Sequence, residues 1–343
     1  MSRAVIGWDV GGVNTKIVRV ARGKVLGAHA HPYEIQRDPD ALVPLLRTLA
    51  REIGADETDV HALTMTAELS QLFRTKREGV CTVLDAVGSA FPHSAVYVYT
   101  VDGCFITPEA ARSRTLEVAA ANWAATARVV ALTSPDAILI DVGTTTTDII
   151  PIVRGTVVAQ GRTDPERLQS GELVYLGALR TPVEAIVHDV PWRGAMTGAS
   201  AEGFALVGDV HVWRGELEAA AYTMPTPDGR PASREFARER LARVVCADTE
   251  MLSDEEITAI AEHVAERAEE RIAMSVARVR SRQPQLELAV VTGLGDFLAA
   301  RAARRAGMRV AFLADLLGDD AARSAPAAAV ALLLERALGD QTA

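Results

Sequence analysis

Residues 6–18 read IGWDVGGVNTKIV, and residues 138–150 read ILIDVGTTTTDII. Each stretch is an apolar run that ends in Asp-Val-Gly, followed by a short polar turn and a second apolar run. The offset of 132 residues between the stretches also relates the Arg-Gly pair at 22–23 to the pair at 154–155, and a further apolar stretch follows each pair. A pattern of strand, turn, strand, turn and strand therefore occurs twice without a gap. A duplicated three-stranded meander predicts two lobes of related fold.

The repeat and the chain length together predict the domain organisation. A chain of 343 residues is long enough for about two domains of roughly 150 residues each. Strands that alternate with helices favour an α/β sheet in each lobe. We expect a first lobe over residues 1–130 and a second over 131–325, with a loop-rich insertion at about 164–249 in the second. A final helix over 326–338 is expected to pack back on the first lobe.

The composition argues against several classes of function. The net charge of -9 disfavours a nucleic-acid partner, since phosphate backbones need a basic stripe. No run of about 18 apolar residues is present, so no membrane partner is expected. The chain lacks a basic-then-apolar leader, which predicts a cytoplasmic protein.

The first turn, at residues 9–16, can bind an anion. Two adjacent glycines let the backbone approach a phosphate closely, and successive N–H groups form a concave site. Asp9 would be repelled by phosphate directly, so its role is to hold Mg²⁺. Lys16, one of only three lysines among 36 basic residues, adds a positive charge and is a candidate catalytic residue. The alternative is a plain β-hairpin. The predicted phosphate-binding residues are Gly11, Gly12, Asn14, Thr15 and Lys16.

The second turn is rich in threonine. β-branched residues are poor turn formers, so their presence here needs a reason. Hydroxyls and backbone amides make a polar cradle suited to phosphoryl oxygens, with Asp141 as the second carboxylate for the metal. Asp148 stands where the first repeat has Lys16, so the two turns differ in role. An exposed threonine-rich hairpin is the alternative. The predicted phosphate-binding residues are Gly143, Thr144, Thr145 and Thr146.

A third glycine turn lies at Thr292, Gly293 and Gly295. A strand, a glycine turn and a helix here would place backbone amides at a helix N-terminus, which suits a nucleotide or an anionic substrate. A purely structural turn is an equal alternative. Farther upstream, residues 68–74 have the pattern of the opening of a helix, and Ser253 with Glu256 forms a capping box for a helix that extends to about Val279.

The three motifs, in this order, resemble the superfamily of actin, sugar kinases and heat-shock ATPases. The resemblance implies two actin-like (ribonuclease H-like) lobes with a central cleft. It also implies that the aspartate hairpins hold phosphate and Mg²⁺ and that the third turn contacts adenosine.

Shorter segments resemble the hydantoinase/oxoprolinase-related family linked to one-carbon metabolism with tetrahydromethanopterin. These segments are TMTAEL (64–69), TKREGV (75–80), AANW (120–123), QSGELVY (169–175) and TPDGR (226–230). In methanogens, members of this family act in methanofuran biosynthesis. They join an aminomethyl-furanylmethyl diphosphate to γ-glutamyltyramine and release pyrophosphate. The resemblance implies a transferase whose partners are a small-molecule diphosphate and a phenolic amine.

The resemblance also implies roles for residues. Mg²⁺ at Asp9 and Asp141, with Lys16 and the threonine cradle, would stabilise charge on the leaving pyrophosphate. Asp148 or Glu68 would accept the phenol proton. The expected walls of the organic pocket are Gly171, Glu172 and Tyr175.

Two other functions stay open. An ATP-dependent small-molecule kinase or hydantoinase-type ATPase would use the same loops, with Asp148 as the base. ATP is not required in the favoured interpretation, although its binding is left open. An actin-like scaffold protein switched by nucleotide is the second alternative, and a homodimer is compatible with each function.

Overall fold

The computed structural model describes residues 3–340, which divide into two compact units. The first unit holds the chain up to Leu139, then Ile150–Ser170, and then the chain from Phe312 onward. The second unit holds Ile140–Ile149 and Gly171–Ala311.

The first unit contains a mixed sheet. Its strands are β1 (Val5–Val10), β2 (Asn14–Ala21), β3 (Lys24–Pro32), β4 (Val60–Met65), β5 (Val96–Tyr99) and β6 (Phe105–Ile106). They lie in the order β3-β2-β1-β4-β5-β6, and β4 is parallel to both β1 and β5. The helices in this part of the chain are α1 (Leu42–Glu52), α2 (Lys76–Ala90), α3 (Pro108–Ser113), α4 (Thr115–Val118) and α5 (Asn122–Thr133).

The remaining elements follow in chain order. The strands are β7 (Ala137–Val142), β8 (Thr147–Val153), β9 (Thr156–Val157), β10 (Leu173–Val174), β11 (Asp189–Trp192), β12 (Ala195–Gly198), β13 (Leu288–Thr292) and β14 (Arg309–Phe312). The helices are α6 (Asp164–Ser170), α7 (Val207–Trp213), α8 (Arg234–Arg243), α9 (Asp254–Ser281), α10 (Asp296–Arg305), α11 (Ala314–Leu317), α12 (Asp319–Arg323) and α13 (Ala325–Asp340). The second sheet has the order β10-β8-β7-β13-β14, with β9 paired to β8, and β11 and β12 form a separate hairpin.

Strand β1 is buried on both faces. Trp8 and its neighbours on one face join a core with Leu42 and Leu46 of α1 and with apolar residues of α2. The other face lies against α13, which also packs on β2, β4 and α5. Gly7 makes this approach possible, because a Cβ atom there would lie 1.9 Å from the carbonyl oxygen of Ala327. A strand covered on both faces is apolar along its length, so Asp9 at its end is an exception that needs a function.

The duplicated meander is present, as β1-β2-β3 and β7-β8-β9. Its Arg-Gly turns also share an unusual backbone conformation. The φ angles are 55° at Arg22 and 69° at Gly23, against 51° at Arg154 and 73° at Gly155. Two successive positive φ angles are typical of a type I′ hairpin turn, and a positive φ is uncommon for arginine. The repeat therefore extends from sequence to backbone conformation.

The capping box at the start of α9 is confirmed. The Glu256 N–H donates to the Ser253 hydroxyl at 3.3 Å, and the Ser253 N–H donates to the Glu256 carboxylate at 2.9 Å. The prediction that a helix opens at residues 68–74 is wrong, since α2 begins at Lys76. Only a single 3-10 turn forms there, at Ala67–Leu69, because Thr75 caps the helix that follows by accepting the Glu78 N–H at 3.1 Å.

The sequence predicts lobes over residues 1–130 and 131–325, with the final helix returning to the first, whereas the two units are divided at other positions. Their boundary crosses β7 and β8, since each of these hairpin strands has one end in each unit. Helix α6, at the start of the predicted insertion, belongs to the first unit. Within residues 3–340, none of the helices combines the length and apolar character needed to cross a membrane.

Candidate active site

The two predicted phosphate loops have the same backbone hydrogen bond. In the loop between β1 and β2, the Gly11 N–H donates to the Asn14 carbonyl at 3.0 Å. In the loop between β7 and β8, the Gly143 N–H donates to the Thr146 carbonyl at 2.9 Å. Tight loops of this kind can arrange backbone amides into a concave anion site. The two loops therefore share one tight turn geometry, and their binding of phosphate stays a prediction.

Asp9 lies at the end of β1, beside the first loop. Its partners in register are Lys16 on β2 and Thr64 on β4, so the three side chains leave the sheet on the same face. Asp9 is 6% exposed, whereas Lys16 is half-buried. The structure thus brings together the predicted metal ligand and the predicted catalytic lysine of this loop.

Thr15 points the other way. Its partner in register is Val10, which belongs to the core on the opposite face of the sheet. Its hydroxyl is buried and makes no hydrogen bond. Asn14 shares the face of Lys16, since side chains alternate along a strand. Thr15 can therefore bind phosphate only through its backbone N–H and not through its hydroxyl, and that binding stays a prediction.

The backbone of residues 177–180 packs against the threonine loop and donates hydrogen bonds to it. The carbonyl of Gly143 accepts the N–H of residue 178 at 2.9 Å, and the carbonyl of Thr144 accepts those of residues 179 and 180 at 3.1 and 3.0 Å. Gly177 permits this contact, because a Cβ atom there would lie 2.5 Å from the backbone nitrogen of Thr145. These hydrogen bonds fix the loop. The threonines at 144–146 are half-buried, so part of each side chain stays exposed.

The third glycine turn lies directly against Asp141. A Cβ atom at Gly293, where φ is +93°, would lie 2.3 Å from the Val142 carbonyl oxygen and 2.4 Å from Oδ1 of Asp141. The Gly295 N–H donates to the Val142 carbonyl at 2.9 Å, and helix α10 begins at the next residue. Thr292, at the end of β13, is buried. The structure therefore groups the second aspartate, the threonine loop and the third turn within one unit.

Glu68 lies next to the first loop. It follows the end of β4, where the Thr66 N–H donates to the Val10 carbonyl at 2.9 Å. The Glu68 side chain is almost fully buried, and burial raises its pKa to about 7 despite the opposing effect of the Lys76 ammonium. A carboxyl group with a pKa near neutrality suits proton transfer. Glu68 is thus a stronger candidate base than its sequence context alone indicates.

Asp148 lies beside the short strand β10. It is the partner in register of Leu173, and the Ile149 N–H donates to the Glu172 carbonyl at 2.9 Å. The Glu172 side chain is fully buried and pairs with Arg282 at 2.9 Å. This ion pair gives Glu172 a structural role, because a buried carboxylate that lost its partner would be costly.

Gly171 and Tyr175 flank this strand. Gly171 has a φ of +83°, and a Cβ atom there would lie 3.1 Å from Cδ of Arg278. Tyr175 is 53% exposed, so its ring is available to a ligand. Their place in an organic pocket stays a prediction.

Lys76 and Asp164 were not among the residues predicted from the sequence. Lys76 lies within the segment 75–80, and the scarcity of lysine that singles out Lys16 applies equally to it. Asp164 forms an ion pair with Lys76 at 2.5 Å, although 88 residues separate them. No local pattern could have revealed this pair.

The donor set for a metal consists of aspartates. The described range, residues 3–340, holds no group of three or more His, Cys, Asp or Glu side chains that could bind a metal ion. Mg²⁺ usually takes one or two protein carboxylates and completes its shell with water and substrate phosphate. Asp9 and Asp141 each lie beside a predicted phosphate loop, one in each unit, and that they share one Mg²⁺ ion stays a prediction.

A family model and two named relatives match this chain. Residues 59–337 match the family model described as Hydantoinase/oxoprolinase. The chain is 38% identical over 339 residues, 98% of its length and 99% of the relative's, to the (4-{4-[2-(gamma-L-glutamylamino)ethyl]phenoxymethyl}furan-2-yl)methanamine synthase of Methanocaldococcus jannaschii. It is 33% identical over 205 residues to a protein of the same name from Methanococcus vannielii, covering 59% of this chain and 91% of that one.

A solved structure supports the fold class. Component A of (R)-2-hydroxyglutaryl-CoA dehydratase from Acidaminococcus fermentans is similar with a TM-score of 0.50, at 10% identity, over 98% of this chain and 100% of that chain. The predicted actin-like α/β class, with its duplicated hairpin, is confirmed.

Proposed function

Because the chain belongs to the hydantoinase/oxoprolinase family, we propose that it is a transferase that joins an aminomethyl-furanylmethyl diphosphate to tyramine or γ-glutamyltyramine. The product would be the ether named in the synthases of the two methanogens, an intermediate of methanofuran-type cofactors. The near full-length match to the Methanocaldococcus jannaschii synthase carries this proposal.

The reaction replaces one carbon–oxygen bond by another. The bond between the furanylmethyl carbon and the diphosphate breaks, and pyrophosphate leaves with the electron pair. The phenol oxygen of the acceptor forms the new bond to that carbon and loses its proton. The electron-rich furan ring eases the departure of the leaving group. The protein must therefore stabilise charge on pyrophosphate and accept one proton.

The two glycine loops are suited to the leaving group. Their backbone amides, the ammonium group of Lys16 and the hydroxyls of the threonine loop supply donors for phosphate oxygens. Asp9 and Asp141 are the carboxylates that would hold Mg²⁺, which when bound would neutralise charge on the departing pyrophosphate. Interactions of this kind accelerate a reaction because they strengthen as charge develops.

Glu68 is the better of the two candidate bases. Burial holds its pKa at about 7, so that near neutral pH it is partly ionised and able to take a proton. Its Oε2 atom is buried and accepts no hydrogen bond within the protein, so its capacity as an acceptor is unused. Asp148 keeps its place as the alternative base, on the strand that follows the second loop.

The assay that tests the proposal uses synthetic aminomethyl-furanylmethyl diphosphate and γ-glutamyltyramine, without nucleotide. We expect the ether product by mass spectrometry with one equivalent of pyrophosphate, and loss of activity when Mg²⁺ is chelated. The absence of product under these conditions would contradict the proposal. Tyramine in place of its glutamyl amide identifies the preferred acceptor.

An ATP-dependent kinase or ATPase is the second candidate, and the third turn favours it. In actin-like enzymes this turn contacts adenosine, and here Gly293 lies against Asp141. A strict requirement for ATP, with formation of ADP, would support this function in place of the transferase.

A further inference from the structure

Lys76, Asp164 and Glu68 form a charged cluster in the first unit, next to the first phosphate loop but not part of it. The Nζ atom of Lys76 is 2.5 Å from Oδ2 of Asp164 and 3.7 Å from Oε1 of Glu68. The side chains of Lys76 and Asp164 are 22% and 16% exposed, whereas that of Glu68 is 1% exposed. One ammonium group is therefore shared by a deeply buried carboxyl group and a more accessible one.

Lys76 occupies a position where a cation is intrinsically disfavoured. It is the first residue of α2, and the N-terminus of a helix carries a partial positive charge. The ion pairs with Asp164 and Glu68 offset this cost. A compact ammonium group can lie between two carboxyl groups, whereas a planar guanidinium favours bidentate binding to one. The choice of lysine in an arginine-rich chain thus matches the geometry of the cluster.

The two carboxyl oxygens of Glu68 have different surroundings. Oε1 faces Lys76, whereas Oε2 is buried and accepts no hydrogen bond. The backbone is clamped by α2, because a Cβ atom at Gly79 would lie 2.6 Å from Cα of Glu68. On the side of the phosphate loop, a Cβ atom at Gly12 would lie 3.9 Å from Cα of Ala67. Glu68 therefore keeps a buried acceptor atom without a donor next to the first loop.

We infer that Lys76, anchored by Asp164, is a positioning residue that holds Oε1 of Glu68 and leaves Oε2 to accept the proton of the acceptor phenol. This inference rests on the proposed transferase function. In the step, the phenol O–H bond breaks and its proton bonds to Oε2. The phenol oxygen bonds to the furanylmethyl carbon, and the carbon–oxygen bond to the diphosphate breaks with the electron pair going to pyrophosphate.

The charges around Glu68 give this arrangement a distinctive signature. Burial raises the pKa of Glu68 most, the Lys76 ammonium lowers it, and the Asp164 carboxylate raises it. Removing Lys76 and removing Asp164 should therefore move the same pKa in opposite directions. Both variants leave the other charged residues of these elements unchanged: Asp9 on β1, Lys16 on β2, Glu78 on α2, and Arg167 on α6, which lies 3.7 Å from Asp164.

The decisive experiment is the pH profile of kcat/KM for ether formation in Lys76→Met and Asp164→Asn. The acidic limb of this profile reports the base in the free enzyme. In Lys76→Met we expect the limb to move up by about one pH unit or more, because an opposite charge within a few ångströms is lost. In Asp164→Asn we expect it to move down. Lys24→Met, which removes an exposed lysine of β3, should leave the limb in place.

A second readout does not depend on turnover. The Glu68 carboxyl carbon can be titrated by NMR in ¹³C-labelled protein, with its signal assigned by its disappearance in Glu68→Gln. We expect the same opposite shifts in the two variants. If Lys76→Met does not fold, Lys76→Gln takes its place, and the downward shift in Asp164→Asn is required in either case.

The outcomes separate this inference from the function on which it rests. Limbs and NMR titrations that stay in place, or that move in the same direction in both variants, would overturn the positioning role. Opposite NMR shifts in a protein that forms no ether product would uphold the arrangement of Lys76, Asp164 and Glu68 and reject the transferase.

Discussion

At the scale of single residues, Glu68 shows how burial can adapt a carboxyl group to catalysis. An exposed glutamate is almost fully ionised at neutral pH, whereas the pKa of Glu68 is raised to about 7 because its side chain is removed from water. Lys76 limits the rise without abolishing it. The protein thus keeps a group that is costly when ionised, as expected of a functional residue.

The stability of the protein should therefore fall as pH rises past the ordinary pKa of glutamate. In the folded state Glu68 keeps its proton up to about pH 7, whereas in the unfolded state it releases the proton near pH 4.5. The stabilisation is therefore fully present below pH 4.5 and is lost as the pH rises to and past about 7. Between pH 5 and pH 8, ionisation of Glu68 should lower the free energy of unfolding by about 1 to 3 kcal/mol, and Glu68→Gln should remove this part of the pH dependence. Denaturant unfolding at both pH values measures it.

The same variant should lose activity while it gains stability at pH 8. Removing a general base typically lowers the rate by roughly 100-fold to 10,000-fold. Glu57→Gln, at an exposed position, is the control for loss of one carboxylate. A Glu68→Gln variant that keeps wild-type turnover, or whose stability follows the wild-type pH dependence, would remove Glu68 from the mechanism.

Lys16 should matter for rate and little for folding. Lys16→Met removes the positive charge beside Asp9, so we expect kcat to fall by roughly 100-fold, as for loss of a donor to a developing anion. The thermal midpoint should change little, because a half-buried strand-end lysine adds little stability. Lys24→Met is the matched control, and equal activities in the two variants would contradict the role of Lys16.

At the scale of elements, the turn after β13 is fitted to Asp141. Gly293→Ala would place a methyl group 2.4 Å from Oδ1 of Asp141 and strain a φ of +93°. Gly194→Ala adds comparable strain at a φ of +80° in the β11–β12 hairpin, with no atom within 4 Å. We expect Gly194→Ala to cost about 1 kcal/mol, and Gly293→Ala to cost more and to lower activity by displacing the carboxylate. Unfolding and assay of both variants measure the difference, and equal effects would show that the turn does not hold Asp141.

Local elements could be predicted from the sequence, whereas contacts between distant segments could not. The hairpins and the cap of α9 follow from residues three to five positions apart, such as Ser253 and Glu256. The sequence pattern singles out Glu172 but not its ion-pair partner Arg282, which lies 110 residues away. Lys76 and Asp164 meet only because the fold of the first unit brings the first residues of α2 and α6 together. Tertiary packing determines such pairs, and a single sequence carries no periodic signal for them.

At the scale of the whole molecule, one repeated hairpin made the architecture predictable. Both copies keep the same loop hydrogen bond and the same Arg-Gly turn, yet Lys16 in one copy corresponds to Asp148 in the other. The fold could be predicted because the repeat combines turn chemistry with strand periodicity. The substrate could not, because an actin-like fold hosts many reactions and only family resemblance indicated a furan and a phenol.

The most direct measurement follows the oxygen atoms. An aminomethyl-furanylmethyl diphosphate labelled with ¹⁸O at the bridging position is incubated with γ-glutamyltyramine and enzyme, without ATP. We expect an unlabelled ether and one ¹⁸O atom in each pyrophosphate, because the phenol oxygen replaces the bridging oxygen at carbon. Label in the organic product, or product formation only when ATP is added, would contradict the account.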